Sequence, residues 1–257
     1  MAQITTYDPS KARAYRQLSK EMGSYQQEIS ARFKECQETG DLATAKNILA
    51  EATLKTQPFI DLQTELGATG VFLAKYGVEV INEHTILFVI PKGTSRISIL
   101  EEAHKLVQER DGRDLIYPHI LPAWQEDKRF TKEQETSKRL CIDGHVQGGD
   151  GKTRTQQEAF LGKEFRMPQF EDLAVAFSLH WVATGEPLFE WYVKHDEWSF
   201  AIRCVGGALG FDRDGMGEYT IVGRPLVFYR SGFGAYAFSD DDDAFGNVGV
   251  SALVSPE

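Results

Sequence analysis

Only three of the 257 residues are cysteine, and Cys36, Cys141 and Cys204 lie far apart with no CxxC spacing. A disulfide framework and a zinc ribbon are thereby excluded, and all three read as buried thiols. Basic charge is also short, with 28 Lys and Arg against 38 Asp and Glu and a net charge of −10. A duplex nucleic-acid binder needs a clustered basic face to displace counterions from phosphates. No nucleic-acid partner is expected, and adsorption to an anionic membrane is disfavoured. No apolar run approaches the roughly 20 residues that span a bilayer. The opening MAQITTYDPS lacks a basic stretch followed by an apolar one. The expectation is a chain without membrane span or signal peptide, cytoplasmic or part of a phage or bacterial assembly.

Motifs that would name a reaction are missing as well. GGDGKT at 148–153 resembles the end of a phosphate-binding loop, but Val146 stands where that loop needs a glycine. DRDGMGE at 212–218 gathers three carboxylates, yet an EF-hand register would put Gly210 and Ile221 where carboxylates are required. A strand-connecting turn is expected there. The DDDD run at 240–243 must stay solvated, pair with cations or bind metal. Calcium binding at either acidic stretch is left open. Cys141 and His145 are the one nearby Cys/His pair, and the intervening CIDGH fixes no geometry. Glu171, Asp172, Glu186 and Glu190 are plentiful carboxylates, but acid/base work needs two held in different environments. His104 reads as a surface or boundary residue and His180 as a satisfied boundary histidine. The protein is therefore expected not to be an enzyme, with no catalytic residue, metal ligand or cofactor assigned. A hydrolase built on Cys141, His145 and the carboxylates of 212–218 is the enzymatic alternative.

What is present begins with helix. Ala12, Tyr15, Leu18, Met22, Tyr25, Ile29, Phe33 and Cys36 recur at threes and fours, behind the start signal Asp8-Pro9. Gly40-Asp41 breaks the pattern, and Leu42, Ala45, Leu49, Ala52, Thr56 and Phe59 form a second stripe, interrupted at Pro58 and ending near Gly67. Two amphipathic helices so closely joined predict an antiparallel hairpin, taken as a domain over residues 1–67. Its apolar face needs cover, from the domain that follows or from another copy. A homo-oligomer through residues 8–66 is expected on that ground.

Residues 68–257 read as a second, mixed α+β domain. VFLAKYGVEVINEHTILFVIP supplies two apolar runs parted by Asn82-Glu83-His84, a strand hairpin. Ser98 with Glu101 predicts a capping box ahead of a helix that Asp111-Gly112 ends. A short strand follows at 115–117, and Trp124 anchors the polar stretch 118–137. Helices are expected at 155–161 and 168–183, the latter a core helix through Leu173, Ala176, Phe177 and Trp181. Beyond Trp198, glycines punctuate short aromatic and β-branched runs at 198–205, 217–222, 226–229, 233–238 and 248–254, the pattern of a C-terminal antiparallel sheet.

Between the last two of these runs lies YRSGFGAYAFSDDDDAFGN, residues 229–247, without Lys, Glu, Gln, Met, Leu, Ile or Val. Such a segment fills a core poorly and suits a display surface, where Tyr, Ser, Gly and Asn give rigid aromatic and adaptable polar contact. The candidate ligand-binding residues are Tyr229, Arg230, Phe233, Tyr236, Phe238, Asp240, Asp242, Phe245 and Asn247.

The run FRMPQFEDLA at 165–174 resembles the R-x-P-(T/S)-x-x-E-(W/L) helix start of the C-type-lectin-like fold, as in formylglycine-generating-enzyme-like domains. SFAIRCVGG at 199–207 and NVGVS at 247–251 are similar to that fold's core strands and terminal N-x-G-F-R pattern. The resemblance covers residues 140–254. It implies a C-type-lectin-like scaffold for the C-terminal sheet. The family's catalytic cysteine pair has no counterpart here, which points to the non-enzymatic branch that includes variable ligand-binding proteins diversified by retroelements. All residues of 229–247 are types reachable by changing the adenines of an asparagine codon. The resemblance implies a display protein for a protein or cell-surface ligand, with a structural subunit of a phage or bacterial assembly as the alternative.

Overall fold

The structure is a computed structural model that describes residues 7–116, 120–144, 152–153, 154–163, 165–186, 188, 200–205, 207–212, 215–219, 248–250 and 252–254, with backbone alone for 154, 200–204, 207–212, 215–219 and 248–250. It divides into a helical unit, Thr6–Gly77, and an α+β unit that takes in the chain from Val78 onward.

In the helical unit, α1 (Pro9–Thr39) starts as the sequence predicts. The Asp8 carboxylate accepts the Ser10 and Lys11 backbone N–H groups, Pro9 occupies the first turn, and Gly40 ends the helix at φ 72, a left-handed conformation that glycine adopts without penalty. Asp41 then caps α2 (Leu42–Lys75) by accepting the Thr44 N–H. The first stripe is the inward face: Ala12, Tyr25 and Cys36 are buried and the rest half-buried. The second stripe needs correction. Ala45, Ile48, Ala52, Phe59, Leu62 and Leu66 turn inward, whereas Leu42 and Leu49 are exposed. The columns 42-49-56 and 45-52-59 are neighbours on the helix surface, and periodicity alone does not choose which one meets the partner. Tyr15 stacks on Phe59 with ring centroids 4.9 Å apart, and Lys55 Nζ lies 4.3 Å from the Tyr25 ring centroid. Arg32 pairs with Glu51 at 3.1 Å and Lys11 with Glu65, so the two helices run antiparallel along their length. Pro58 is accommodated inside α2, and Gly67 (φ 63, ψ −178) marks a kink beyond which the helix continues to Lys75. Residues 71–75, expected in a strand, are therefore helical.

The α+β unit opens with the expected hairpin, β1 (Glu79–Asn82) and β2 (Thr85–Ile90), whose turn is held by the Asn82 side chain accepting the His84 N–H. Helix α3 (Arg96–Asp111) begins a turn earlier than the Ser98 box predicts, because Ser95 is the cap and accepts the Ser98 N–H. It ends at Gly112, φ 68, as the Asp111-Gly112 signal requires. The polar stretch folds into α4 (Leu121–Glu126) and α5 (Lys128–Thr131), with Trp124 buried as its anchor. Next come β3 (Lys138–Asp143), α6 (Arg154–Leu161) with a Thr153/Gln156 capping box, and α7 (Phe170–Thr184). The remaining strands are β4 (Phe200–Cys204), β5 (Gly207–Asp212), β6 (Gly215–Tyr219), β7 (Val248–Val250) and β8 (Ala252–Leu253).

The architecture is α+β, with two four-stranded sheets ordered β1-β2-β3-β8 and β6-β5-β4-β7. The first is antiparallel throughout. The second is antiparallel over β6-β5-β4, as expected of the C-terminal sheet, and adds β7 in parallel to β4. The run 248–254, expected as one strand, contributes β7 to one sheet and β8 to the other. Helix α7 lies against β2 of the first sheet and β5 of the second, and packs on α3. Its buried residues include Leu173, Ala176 and Phe177, in line with the core expectation, whereas Trp181 is half-buried beneath the Arg113 guanidinium, 4.6 Å away.

Candidate functional site

A strand fixed by a main-chain ladder tolerates side-chain change next to it, because backbone bonds carry no residue identity. Both ends of the chain that carries the display candidates are held this way. β6 ends at Tyr219, which pairs with Ala208 of β5, and β7 starts at Val248, which pairs with Ala201 of β4. In the order β6-β5-β4-β7 these are opposite edges, and the two edge strands run parallel, so the chain from 220 to 247 makes a crossover between them. After β7, Leu253 donates its N–H to Arg166 O at 2.7 Å and Val254 to Cys141 O at 2.9 Å. The seven residues that follow position 247 thus bond to both sheets. Tyr229, Arg230, Phe233, Tyr236, Phe238, Asp240, Asp242, Phe245 and Asn247 themselves lie outside the described residues.

The stretch that leads into α7 ties the two sheets as well. Arg166 bridges to Leu253 of the first sheet, and Gln169 bridges to Val205 at the end of β4. Pro168 O accepts the Val205 N–H at 2.9 Å, and the Phe170 N–H returns to Val205 O at 3.1 Å. Two residues on, Asp172 is fully buried and carries two cations: Arg96 Nε donates to Oδ1 at 2.8 Å, and Lys138 Nζ lies 2.6 Å from Oδ2. At the opposite end of α3, Arg110 donates to Val182 O at 3.0 Å and Trp181 O at 3.4 Å in α7's last turn, the latter carbonyl also accepting the Gly185 N–H. Parallel helices α3 and α7 are stitched at both ends by arginines of α3: Arg96 through the Asp172 carboxylate, itself favoured at the N-terminal end of the α7 dipole, and Arg110 directly at the C-terminal end, where a cation is favoured. Sequence reading missed Arg96, Arg110 and Lys138. Arg96 and Lys138 lie 76 and 34 residues from Asp172, beyond any local spacing.

The carboxylates Glu171 and Asp172 do occupy different environments. Burial raises the Glu171 pKa, helped by its acidic neighbour Asp172 and opposed by Arg96 and Arg129. Asp172 has both oxygens committed to cations and is a structural anchor rather than a free base. Cys141 is buried on β3, where burial pushes its thiol up, away from the thiolate that nucleophilic work requires. Cys141 sits in the first sheet, while Asp212 and Gly215 pair across β5 and β6 of the second, and His145 is outside the described residues. Of the acidic stretch 212–218, expected as a strand-connecting turn, Asp212 ends β5 and Gly215 to Glu218 belong to β6, while 213–214 lie outside the described residues. Among the described residues no group of three or more His, Cys, Asp and Glu side chains is placed to hold a metal ion, and no helix is long and apolar enough to cross a membrane.

Two histidines are more structural than their sequence suggests. His104 is half-buried and its Nδ1 accepts the Ile116 N–H at 3.2 Å; burial lowers its pKa, against the pull of Asp114. His180 is not a satisfied boundary residue. It is buried in α7, donates from Nδ1 to Glu186 O at 3.0 Å, and its Nε2 has no hydrogen-bond partner among the described residues. Burial lowers its pKa to about 4, with the Glu186 bond opposing and His84 adding to the effect. The unfolded chain therefore takes up the proton first. The stability this group contributes is intact above about pH 6.5, declines as the pH falls, and is gone near pH 4, a loss of about 3 kcal/mol. Urea unfolding of the wild type and of His180→Gln at about pH 7 and pH 4.5 should show the wild type losing more stability on acidification. Equal losses would remove His180 from the pH dependence.

No protein family, characterised protein or solved structure matches the chain.

Proposed function

We propose that this protein is a non-enzymatic ligand-binding protein that presents residues 229–247 as a variable-type recognition surface on a C-type-lectin-like scaffold. The ligand class is a protein or a cell-surface molecule. The observation that carries the reading is the combination of composition and attachment. A segment without a single Leu, Ile, Val or Met belongs to a crossover whose flanking strands, β6 and β7, are fixed by main-chain pairing at opposite sheet edges. A connection anchored by its backbone can change side chains without unfolding what holds it. Aromatic and arginine anchors, Tyr229, Arg230, Phe233, Tyr236 and Phe245, supply the binding energy, since a few such residues dominate most interfaces.

The test replaces Phe233, Tyr236 and Phe245 with serine together. The melting temperature should fall little, because no core cavity forms, while capture of the partner found with the wild-type protein is abolished. Unfolding of the triple variant, in the manner of a large core deletion, would show these aromatics to be core residues and end the display reading. These aromatics would each gain about 1.5 to 3 kcal/mol from burial, so the two outcomes are well separated.

A further inference from the structure

We infer that the outward face of α2 binds a second copy of itself, antiparallel, across a two-fold axis that passes between Thr53 and Leu54. The face is unusual for an exposed helix. Leu42 and Leu54 are 77% exposed, Leu49 59% and Ile60 47%. Between positions 42 and 64 the exposed residues include Ala43, Ala50 and Pro58, and the threonine hydroxyls are turned back into the helix. Thr53 donates to Leu49 O at 2.9 Å and Thr64 to Ile60 O at 2.8 Å, which leaves their methyl groups outward. The outer side of α1 is ordinary by contrast, with Arg13, Lys20, Glu21, Glu35 and Glu38 exposed. Apolar residues beyond the seam that joins two helices are the pattern of a helix packed in a larger bundle.

The occupant follows from charge and spacing. Four charged side chains of α2 are exposed between positions 42 and 65; Lys55 is turned to the Tyr25 ring and Glu65 is engaged by Lys11, which leaves Lys46 and Asp61, of opposite sign, on this face. In an antiparallel pair related by an axis between 53 and 54, position 46 faces position 61 of the other helix, and the pairing occurs twice. The same axis sets Leu49 beside Ile60 of the second copy and Leu54 beside its own counterpart, so the register that pairs the charges also covers the leucines. Asp61 keeps one oxygen for the contact, since Gln57 donates to the other at 2.7 Å. A two-fold interface must be self-complementary in this manner. Two hairpins joined through α2 make a four-helix layer, which a lone hairpin with Arg32 and Lys55 along its seam does not supply by itself.

The experiment is light scattering on the full chain, with Leu42→Glu/Leu49→Glu, Lys46→Asp, Asp61→Lys and the double charge swap. Wild type should run at twice the chain mass and the double glutamate variant at the chain mass, with helical circular dichroism retained because both leucines are exposed in the single chain. Each single charge change should weaken the dimer at least tenfold and the swap should recover most of the loss. Leu54→Cys should form an intermolecular disulfide on mild oxidation, above the wild-type background. A wild-type monomer overturns the proposal, and one that Leu49→Glu destabilises would show the face to be covered within the chain. A dimer indifferent to the glutamates, or one with no recovery in the swap and no Leu54→Cys cross-link, overturns it as well. None of these outcomes bears on residues 229–247.

Discussion

Asp172→Ala should destabilise the α+β unit by about 3–5 kcal/mol, the largest electrostatic effect expected in the chain. The carboxylate is fully buried and holds Arg96 through Nε and a terminal guanidinium nitrogen, each at 2.8 Å, and Lys138 at 2.6 Å. Lys138 can turn to solvent, its side chain being 37% exposed, but the Arg96 guanidinium at 9% cannot. Deleting the anion therefore strands a desolvated cation against α7. The cost comes from the orphaned charge rather than from a strong pair, and that distinction can be measured. Arg96→Met combined with Asp172→Leu should cost clearly less than Asp172→Ala alone, because both charges leave the interior together. Urea unfolding at neutral pH supplies the comparison. A loss under about 1 kcal/mol for Asp172→Ala would mean that water reaches Arg96 and that surface-pair energetics apply.

The same residues show what the sequence discloses and what it conceals. Helix boundaries were legible because their signals are local: Asp8-Pro9, Gly40-Asp41 and Gly112 act within a turn of themselves. The hairpin at 79–90 and the anchor Trp124 were legible for a similar reason, one through alternation and the other as a large apolar residue in a polar stretch. The choice between the 42-49 and 45-52 columns of α2 was not, since it depends on where Tyr15 and Tyr25 of the neighbouring helix lie. β3 and β5 went without prediction: three apolar residues in KRLCID and a glycine-diluted GALGFD give too short a period to register. The Arg96, Asp172 and Lys138 cluster is assembled from three elements, and no spacing announces it. As for the candidate site, composition singled out 229–247, and the strand order adds what composition lacks: the chain carrying it joins opposite edges of one sheet.

Trp124→Ala should cost about 3–5 kcal/mol, the largest packing effect expected, although it lies in a stretch that is mostly polar. Trp124 is buried, stacks on Phe130 at 4.7 Å and meets Phe170 edge-on at 5.7 Å, while Phe130 meets Phe170 edge-on at 5.8 Å. The three rings join α4, α5 and the first residue of α7, so the cavity would open beside the point where Pro168 and Phe170 are bonded to Val205. Rings packed on both faces cannot collapse into the gap without moving α7, and incomplete collapse sets the upper end of such costs. Trp124→Phe separates volume from hydrogen bonding. The indole N–H is buried with no partner among the described residues, so phenylalanine forfeits no bond and removes an unsatisfied donor. Its cost should stay below about 1.5 kcal/mol, as for other shape-conserving core changes. Thermal and urea unfolding of the two variants check this. Equal costs for Phe and Ala would show that the indole N–H is bonded and that its bond, rather than the ring stack, holds α4 to α7.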